Sequence, residues 1–100
     1  MIHQIVFSVL YPIHDDERTK DDIHNEFMLM FEDRELFKKE DLFQTHDNCW
    51  FVKSELTSHE LYDLLKPNQN INVLITTTHY HISGHTYTSF WKWMKELPKK

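Results

Sequence analysis

Three histidines near the end of the chain have the residue type and spacing of a metal site. His79 and His81 lie two positions apart, and on a strand they project to the same side. His85 follows Gly84, the one glycine of the chain, whose turn can bring it back toward the other two. Three imidazoles are a suitable ligand set for zinc or another borderline metal. The same spacing is typical of surface histidines on a half-exposed strand, and no cysteine lies nearby.

The second chemically active group is acidic and lies near the start of the chain. The segment from His14 to Glu17 contains Asp15 and Asp16, which is the composition of a metal or acid–base cluster. Adjacent carboxylates in a loop also serve to solvate it or to cap the following helix. We expect five acids to form a contact surface for a basic partner, namely Asp15, Asp16, Glu17, Asp21 and Asp22.

Cys49 is the only cysteine, and it lies on a predicted strand between Asn48 and Trp50. No lysine or arginine adjoins it to lower the pKa of the thiol, so a buried structural role is expected rather than nucleophilic chemistry. One thiol forms no internal disulfide, which predicts a reducing, cytoplasmic location. One glycine also cannot build a glycine-rich phosphate loop.

Two tryptophans near the carboxyl end are candidates for an aromatic contact patch. Trp91 and Met94 are three residues apart and share one face of a helix, while Trp93 points elsewhere. One of these faces is expected to be core. The other tryptophan is then free to contact a partner, so Trp91 and Trp93 are both predicted interaction residues.

Composition restricts the class of protein. With 40% hydrophobic and 14% aromatic residues in a chain of 100, we expect one folded domain spanning residues 1–100. The net charge of −5 argues against direct nucleic-acid binding, which needs clustered lysine and arginine. No apolar run approaches the roughly 20 residues of a membrane span. No cofactor is predicted.

The hydrophobic periodicity predicts a strand–helix–strand–strand–helix–strand order followed by a short helix. The predicted strands are residues 2–10, 41–46, 48–53 and 70–78; the helices are residues 20–31, one from a capping box at 57–60 to Pro67, and 89–97. Residues 36–39 fit either an extension of the first helix or a separate short piece. This order is the split βαβ pattern of a ferredoxin-like α+β fold. We expect a four-stranded antiparallel sheet with the two longer helices on one face.

The segment from Cys49 to Leu65, followed by Asn70 to Ile75, resembles one group of small ferredoxin-like proteins. These are the CRISPR-adaptation proteins and their relatives, the SinR-like proteins and VapD-type endoribonucleases. The resemblance extends in order of elements over residues 1–97, including a glycine turn at Gly84 and a terminal segment with tryptophan.

One position departs from that group. Its nucleases carry an aspartate at the end of the first strand, where two subunits hold a metal ion, whereas residues 7–11 of this chain contain no carboxylate. The nearest acids, Asp15 and Asp16, lie in the following loop, so a hard cation such as Mg²⁺ has no obvious anchor. The resemblance therefore implies the fold of the group without its chemistry.

Three functions remain as hypotheses. The first is a non-enzymatic, acidic binding or regulatory module, dimeric, that contacts a basic nucleic-acid-binding protein. By analogy, its size and acidity fit accessory proteins of phages and mobile elements that inhibit or modulate host or defence proteins. The second is a metal-dependent endoribonuclease of the VapD or CRISPR-adaptation type. The third is a zinc-binding structural module built on the three clustered histidines.

Overall fold

The computed structural model describes residues 1–78 and 88–96. These residues form an α+β arrangement of four strands and three helices: β1 (Ile2–Val9), α1 (Lys20–Glu32), β2 (Leu42–His46), β3 (Cys49–Lys53), α2 (Ser58–Leu65), β4 (Ile71–Thr78) and α3 (Thr88–Lys95). The predicted elements agree with these bounds to within two residues at each end. Among the helices of the described residues, none is long and apolar enough to cross a bilayer.

The four strands form one antiparallel sheet in the order β2-β3-β1-β4, which confirms the prediction of a four-stranded antiparallel sheet. Helix α1 connects β1 to β2 past the intervening β3, and α2 connects β3 to β4 past the intervening β1. In the centre of the sheet, Ile5 lies opposite both Trp50 and Ile75. Directly opposed residues share a face, so this register separates the side chains of the sheet into two layers.

Two threonines set where α1 and α2 begin. The Thr19 hydroxyl accepts a hydrogen bond from the backbone N–H of Asp22 at 3.1 Å, which caps α1. Thr57 and Glu60 form a reciprocal capping box at the start of α2, as the sequence predicts. The helix ends at Lys66, whose left-handed backbone (φ 43°) precedes Pro67.

One face of the sheet packs against both α1 and α2. We call this cluster the helix-side core; its buried members are Ile5, Phe7, Val9, Ile23, Phe27, Phe31, Phe37, Val52, Leu61, Leu65 and Ile71. The ring of Phe31 stacks on Trp50 with centroids 4.7 Å apart, and Phe7 meets Phe27 edge-on at the same distance. The segment whose structure the sequence left open contributes Phe37 to this core, before a 3₁₀ turn at Lys39–Asp41.

The helical spacing of apolar residues in the sequence predicts six core residues, namely Ile23, Phe27, Met30, Leu61, Leu64 and Leu65. Four of them are buried: Ile23, Phe27, Leu61 and Leu65. Met30 and Leu64 are half-buried instead. Both lie at the margin of the apolar stripe of their helix, where α1 and α2 face each other across an open groove. The prediction for these two residues is therefore only partly met, because the two helices leave a gap between them.

The other face of the sheet packs against α3. We call this cluster the α3-side core; its buried members are Ile2, Cys49, Phe51, Phe90, Trp93 and Met94. Phe51 of β3 meets Phe90 of α3 with ring centroids 4.7 Å apart. Farther from α3 on this face, Leu74 of β4 and Val6 of β1 remain 67% and 37% exposed.

Candidate interaction surface

Asn70 anchors the acidic loop that follows β1. Its side chain is buried, accepts the backbone N–H of His14 at 3.0 Å and donates to the His14 carbonyl at 2.9 Å. The Asn70 carbonyl also accepts the N–H of Leu10 at 2.7 Å. A buried amide whose donor and acceptor are both used fixes the chain at this point. The loop is therefore attached to the beginning of β4.

Asp16 is committed to a contact within the same loop. Arg18 donates to both of its carboxylate oxygens, with Nε and Nη2 at 2.9 and 2.6 Å, and the Arg18 backbone N–H adds a third bond. These bonds to Arg18 lower the pKa of Asp16 to about 2, so the carboxyl is ionised at neutral pH. Arg18 also pairs with Glu26 of α1. Asp16 therefore holds the loop against α1 instead of facing a partner.

The other four predicted contact acids are exposed and are called the acidic surface: Asp15, Glu17, Asp21 and Asp22. Asp15 adopts a left-handed backbone (φ 53°) at the tip of the loop. Asp21 and Asp22 occupy the first turn of α1, where the helix dipole favours negative charge. These four carboxylates therefore lie in the loop that leads into α1 and in the first turn of that helix.

An open groove of about 670 Å³ separates α1 from α2 and is called the α1–α2 groove. Half-buried apolar side chains line its floor: Met30, Leu36, Leu56 and Leu64. Charged side chains line its rim: Asp33, Glu60, Asp63 and Lys66. No local sequence pattern predicts this groove, since it arises only where the two helices approach each other.

A second cleft, of about 390 Å³, lies between the segment after α1 and the loop after β3. It is called the end cleft. Its charged lining is balanced in sign, with the bases Arg34, Lys38 and Lys53 and the acids Glu35, Asp41 and Glu55. Equal numbers of opposite charges give it no preference for a ligand of either sign.

Lys53 is the least expected buried residue on the α3 side of the sheet. It is 7% exposed, and its ammonium donates to the backbone carbonyls of Trp93, at 2.6 Å, and of Glu96. The same ammonium lies 4.3 Å from the centre of the Trp93 ring. Burial lowers the pKa of Lys53. Because these contacts occupy its donors, Lys53 fastens the end of α3 to the sheet.

The two predicted contact tryptophans have different environments. Trp93 is buried, and its indole N–H donates to the backbone carbonyl of Glu40 at 2.9 Å. Trp91 is half-buried and packs edge-on against Phe90. Trp93 therefore belongs to the core of this chain, and Trp91 is the tryptophan whose ring reaches the surface.

The three clustered histidines, His79, His81 and His85, lie outside the described residues. Within residues 1–78 and 88–96, no group of three or more histidine, cysteine, aspartate or glutamate side chains has the geometry to hold a metal ion. Cys49 is buried, and its sulfur accepts a hydrogen bond from Gln4 at 3.6 Å. This environment matches the structural role expected of the thiol.

The anchoring roles of Arg18, Asn70 and Lys53 are not predicted from the sequence. The spacing of Asp16 and Arg18 is visible in the sequence and is the one signal that could have revealed their ion pair. Asn70 and Lys53 carry no such signal, because their partners lie 56 and 40 residues away along the chain.

Comparison with known proteins adds no family: no protein-family model, no curated protein and no solved structure matches this chain.

Proposed function

We propose that this protein is a non-enzymatic, acidic binding module that inhibits or modulates a basic, nucleic-acid-binding protein by direct contact. The observation that carries the proposal is the acidic surface. Its four carboxylates are exposed, while the fifth predicted acid, Asp16, is neutralised by Arg18. Clustered negative charge of this kind attracts basic proteins over several ångströms and speeds their association. We infer that it is an accessory protein of a phage or mobile element.

The anchoring of the loop supports a binding role. Asn70 holds the loop at His14, and Asp16 holds it through Arg18 to α1. A loop that is already ordered loses little conformational entropy when a partner binds, so more of the contact energy appears as affinity. Acids that served only for solubility would need no such anchoring.

We further propose that the fold is ferredoxin-like and the protein a homodimer in the cytoplasm. The strand order, with both connecting helices packed into the same core, supports the fold assignment. In the sheet formed by residues 1–78, strand β4 is an edge strand, and it contains no charged residue or proline, which supports pairing with a second copy. The lone cysteine supports a reducing compartment.

A pull-down from nuclease-treated host extract tests the binding role. Wild-type protein is compared with Asp15→Asn/Glu17→Gln and with a control, Glu32→Gln/Asp47→Asn, which loses the same charge elsewhere on the surface. We expect wild type and the control to retain the same basic nucleic-acid-binding protein, and the loop variant to lose most of it. Equal capture by all three proteins would refute the assignment of the acidic surface.

An assay with RNA and Mg²⁺ or Mn²⁺ tests the rival nuclease hypothesis. Both oxygens of Asp16 are bonded to Arg18, so Asp15 and Glu17 are the acids of this loop that remain open to a cation. We expect no cleavage. Cleavage that disappears in Asp15→Asn would replace the binding role with the enzymatic one.

A further inference from the structure

The floor of the α1–α2 groove is apolar and partly accessible. Met30 comes from α1 and Leu64 from α2, and the loops beyond the helices add Leu36 and Leu56. All four are half-buried and pack against the margin of the helix-side core. Burying them further would remove apolar surface from water, and a methionine in such a floor adapts to partners of different shape.

The rim of the groove is acidic. Asp33 stands on the α1 side, Glu60 and Asp63 stand on the α2 side, and Lys66 is the one lysine or arginine that the described residues contribute to the lining. This gives the α1–α2 groove an excess of two negative charges, whereas the end cleft next to it is balanced. Asp63 is 64% exposed, and its neighbour His59 at 3.5 Å is 84% exposed, so its charge faces solvent.

We propose that the α1–α2 groove binds an amphipathic helix whose apolar stripe is flanked by lysine or arginine, supplied by the basic partner. This inference rests on the proposed function and names the part of the partner that docks. The apolar stripe covers the floor, and the basic flanks meet the carboxylates of the rim. The acidic surface at the amino-terminal end of α1 steers the approach of the partner.

The walls of the groove favour a helix over an extended peptide. Met30 comes from α1, and Glu60, Asp63 and Leu64 come from α2, where the backbone N–H and C=O groups bond within the helix. No strand among the described residues contributes to the lining, so an incoming segment has no strand edge to pair with and binds through side chains. An apolar stripe with side chains at helical spacing supplies those contacts along a groove of this kind.

The test uses a synthetic helical peptide with leucines at helical spacing and lysines on both flanks. A second peptide carries glutamate in place of lysine, and a third has the composition of the first in scrambled order. Methyl NMR spectra of the full-length protein locate the contact at Met30, Leu36, Leu56 and Leu64. Affinities are measured for wild type, for Asp63→Lys at the rim, and for Asp21→Lys as the matched charge reversal at the acidic surface.

We expect shifts of the methyl groups of the four floor residues with the lysine peptide only. Asp63→Lys should weaken binding about fivefold and Asp21→Lys by less than about twofold. Absence of binding, or binding indifferent to Asp63→Lys, would overturn the inference. If the floor residues show the same NMR shifts when the protein alone is concentrated, the groove binds a second copy of the chain, and the inference is also overturned. The peptide could instead shift only NMR signals of the loop before α1, with its binding abolished by Asp21→Lys. That result would refute docking in the α1–α2 groove but leave the proposed function standing.

Discussion

Helices α1 and α2 cover one face of the sheet through phenylalanine, leucine and isoleucine side chains, whereas α3 covers the other face with the help of a buried lysine. The first arrangement leaves the outer sides of α1 and α2 free for charge, and these carry Asp21 and Asp22 of the acidic surface and Glu60 and Asp63 of the groove rim. The outer side of α3 instead carries the exposed lysines Lys92 and Lys95. The two faces thus differ both in what stabilises them and in the charge they present.

The largest effect in this comparison is expected at Phe31. It is fully buried, and its ring packs against Phe7, Phe27, Phe37 and Trp50. Phe31→Ala should lower the free energy of unfolding by about 3–5 kcal/mol, because it leaves a cavity in the helix-side core. Denaturant unfolding measures this loss. Leu29→Ala, on the exposed side of the same helix, should change stability by less than about 0.5 kcal/mol.

A smaller effect is expected at Lys53. Lys53→Met keeps an unbranched side chain of similar length but leaves the carbonyls of Trp93 and Glu96 without their donor. We expect a loss of about 1–3 kcal/mol, accompanied by a change in tryptophan fluorescence as α3 loosens. Lys92→Met, an exposed lysine on α3, is the control. If the two variants unfold alike, the lysine does not hold α3.

The smallest expected effect is the contribution of His3 to the pH dependence of stability. This histidine is fully buried and bonds Thr77 through Nδ1 at 3.0 Å, while its Nε2 has no partner among the described residues. Burial, together with the nearby amino terminus, lowers its pKa, against the opposing effect of the Ser54 and Leu56 carbonyls. The folded state therefore favours the neutral ring. Its stabilising contribution is complete above pH 6.5 and declines as the pH falls below that value toward the lowered pKa.

Unfolding measured at a series of pH values isolates this effect. Asp16 titrates in a lower window, since its contribution is lost only as the pH falls from 3.8 to about 2. In the wild type, the free energy of unfolding should therefore decrease as the pH falls from about 7 to about 5. This decrease should be smaller in His3→Gln and should persist in His59→Gln, an exposed control. An unchanged slope in His3→Gln would contradict the account of the buried ring.

The residues that the sequence predicts well act locally. Thr19, Thr57 and Pro67 define helix ends through neighbours a few positions away, so pattern alone locates α1 and α2. Ile23 and Leu61 follow from helical periodicity in the same way.

The residues that the sequence predicts poorly depend on distant parts of the chain. Alternation within β3 gives no reason to bury Lys53, which is buried because the end of α3 lies over it. Trp93 is core rather than contact surface because Glu40 and Phe43 come from another part of the chain to meet it. The α1–α2 groove likewise requires the separation of two helices, which no local pattern encodes.

The central claim is that the acidic surface speeds association with a basic partner, and association kinetics test it most directly. The partner captured in the pull-down is mixed with wild type, with Asp15→Lys/Glu17→Lys, and with Glu32→Lys/Asp47→Lys as the matched control. We expect the wild-type association rate to fall at least tenfold between about 50 mM and about 500 mM salt, because salt screens exposed charges. The loop variant should associate about tenfold more slowly at low salt, with dissociation changed by less than about twofold. Association that is indifferent to salt, or slowed equally in the control, would contradict the account.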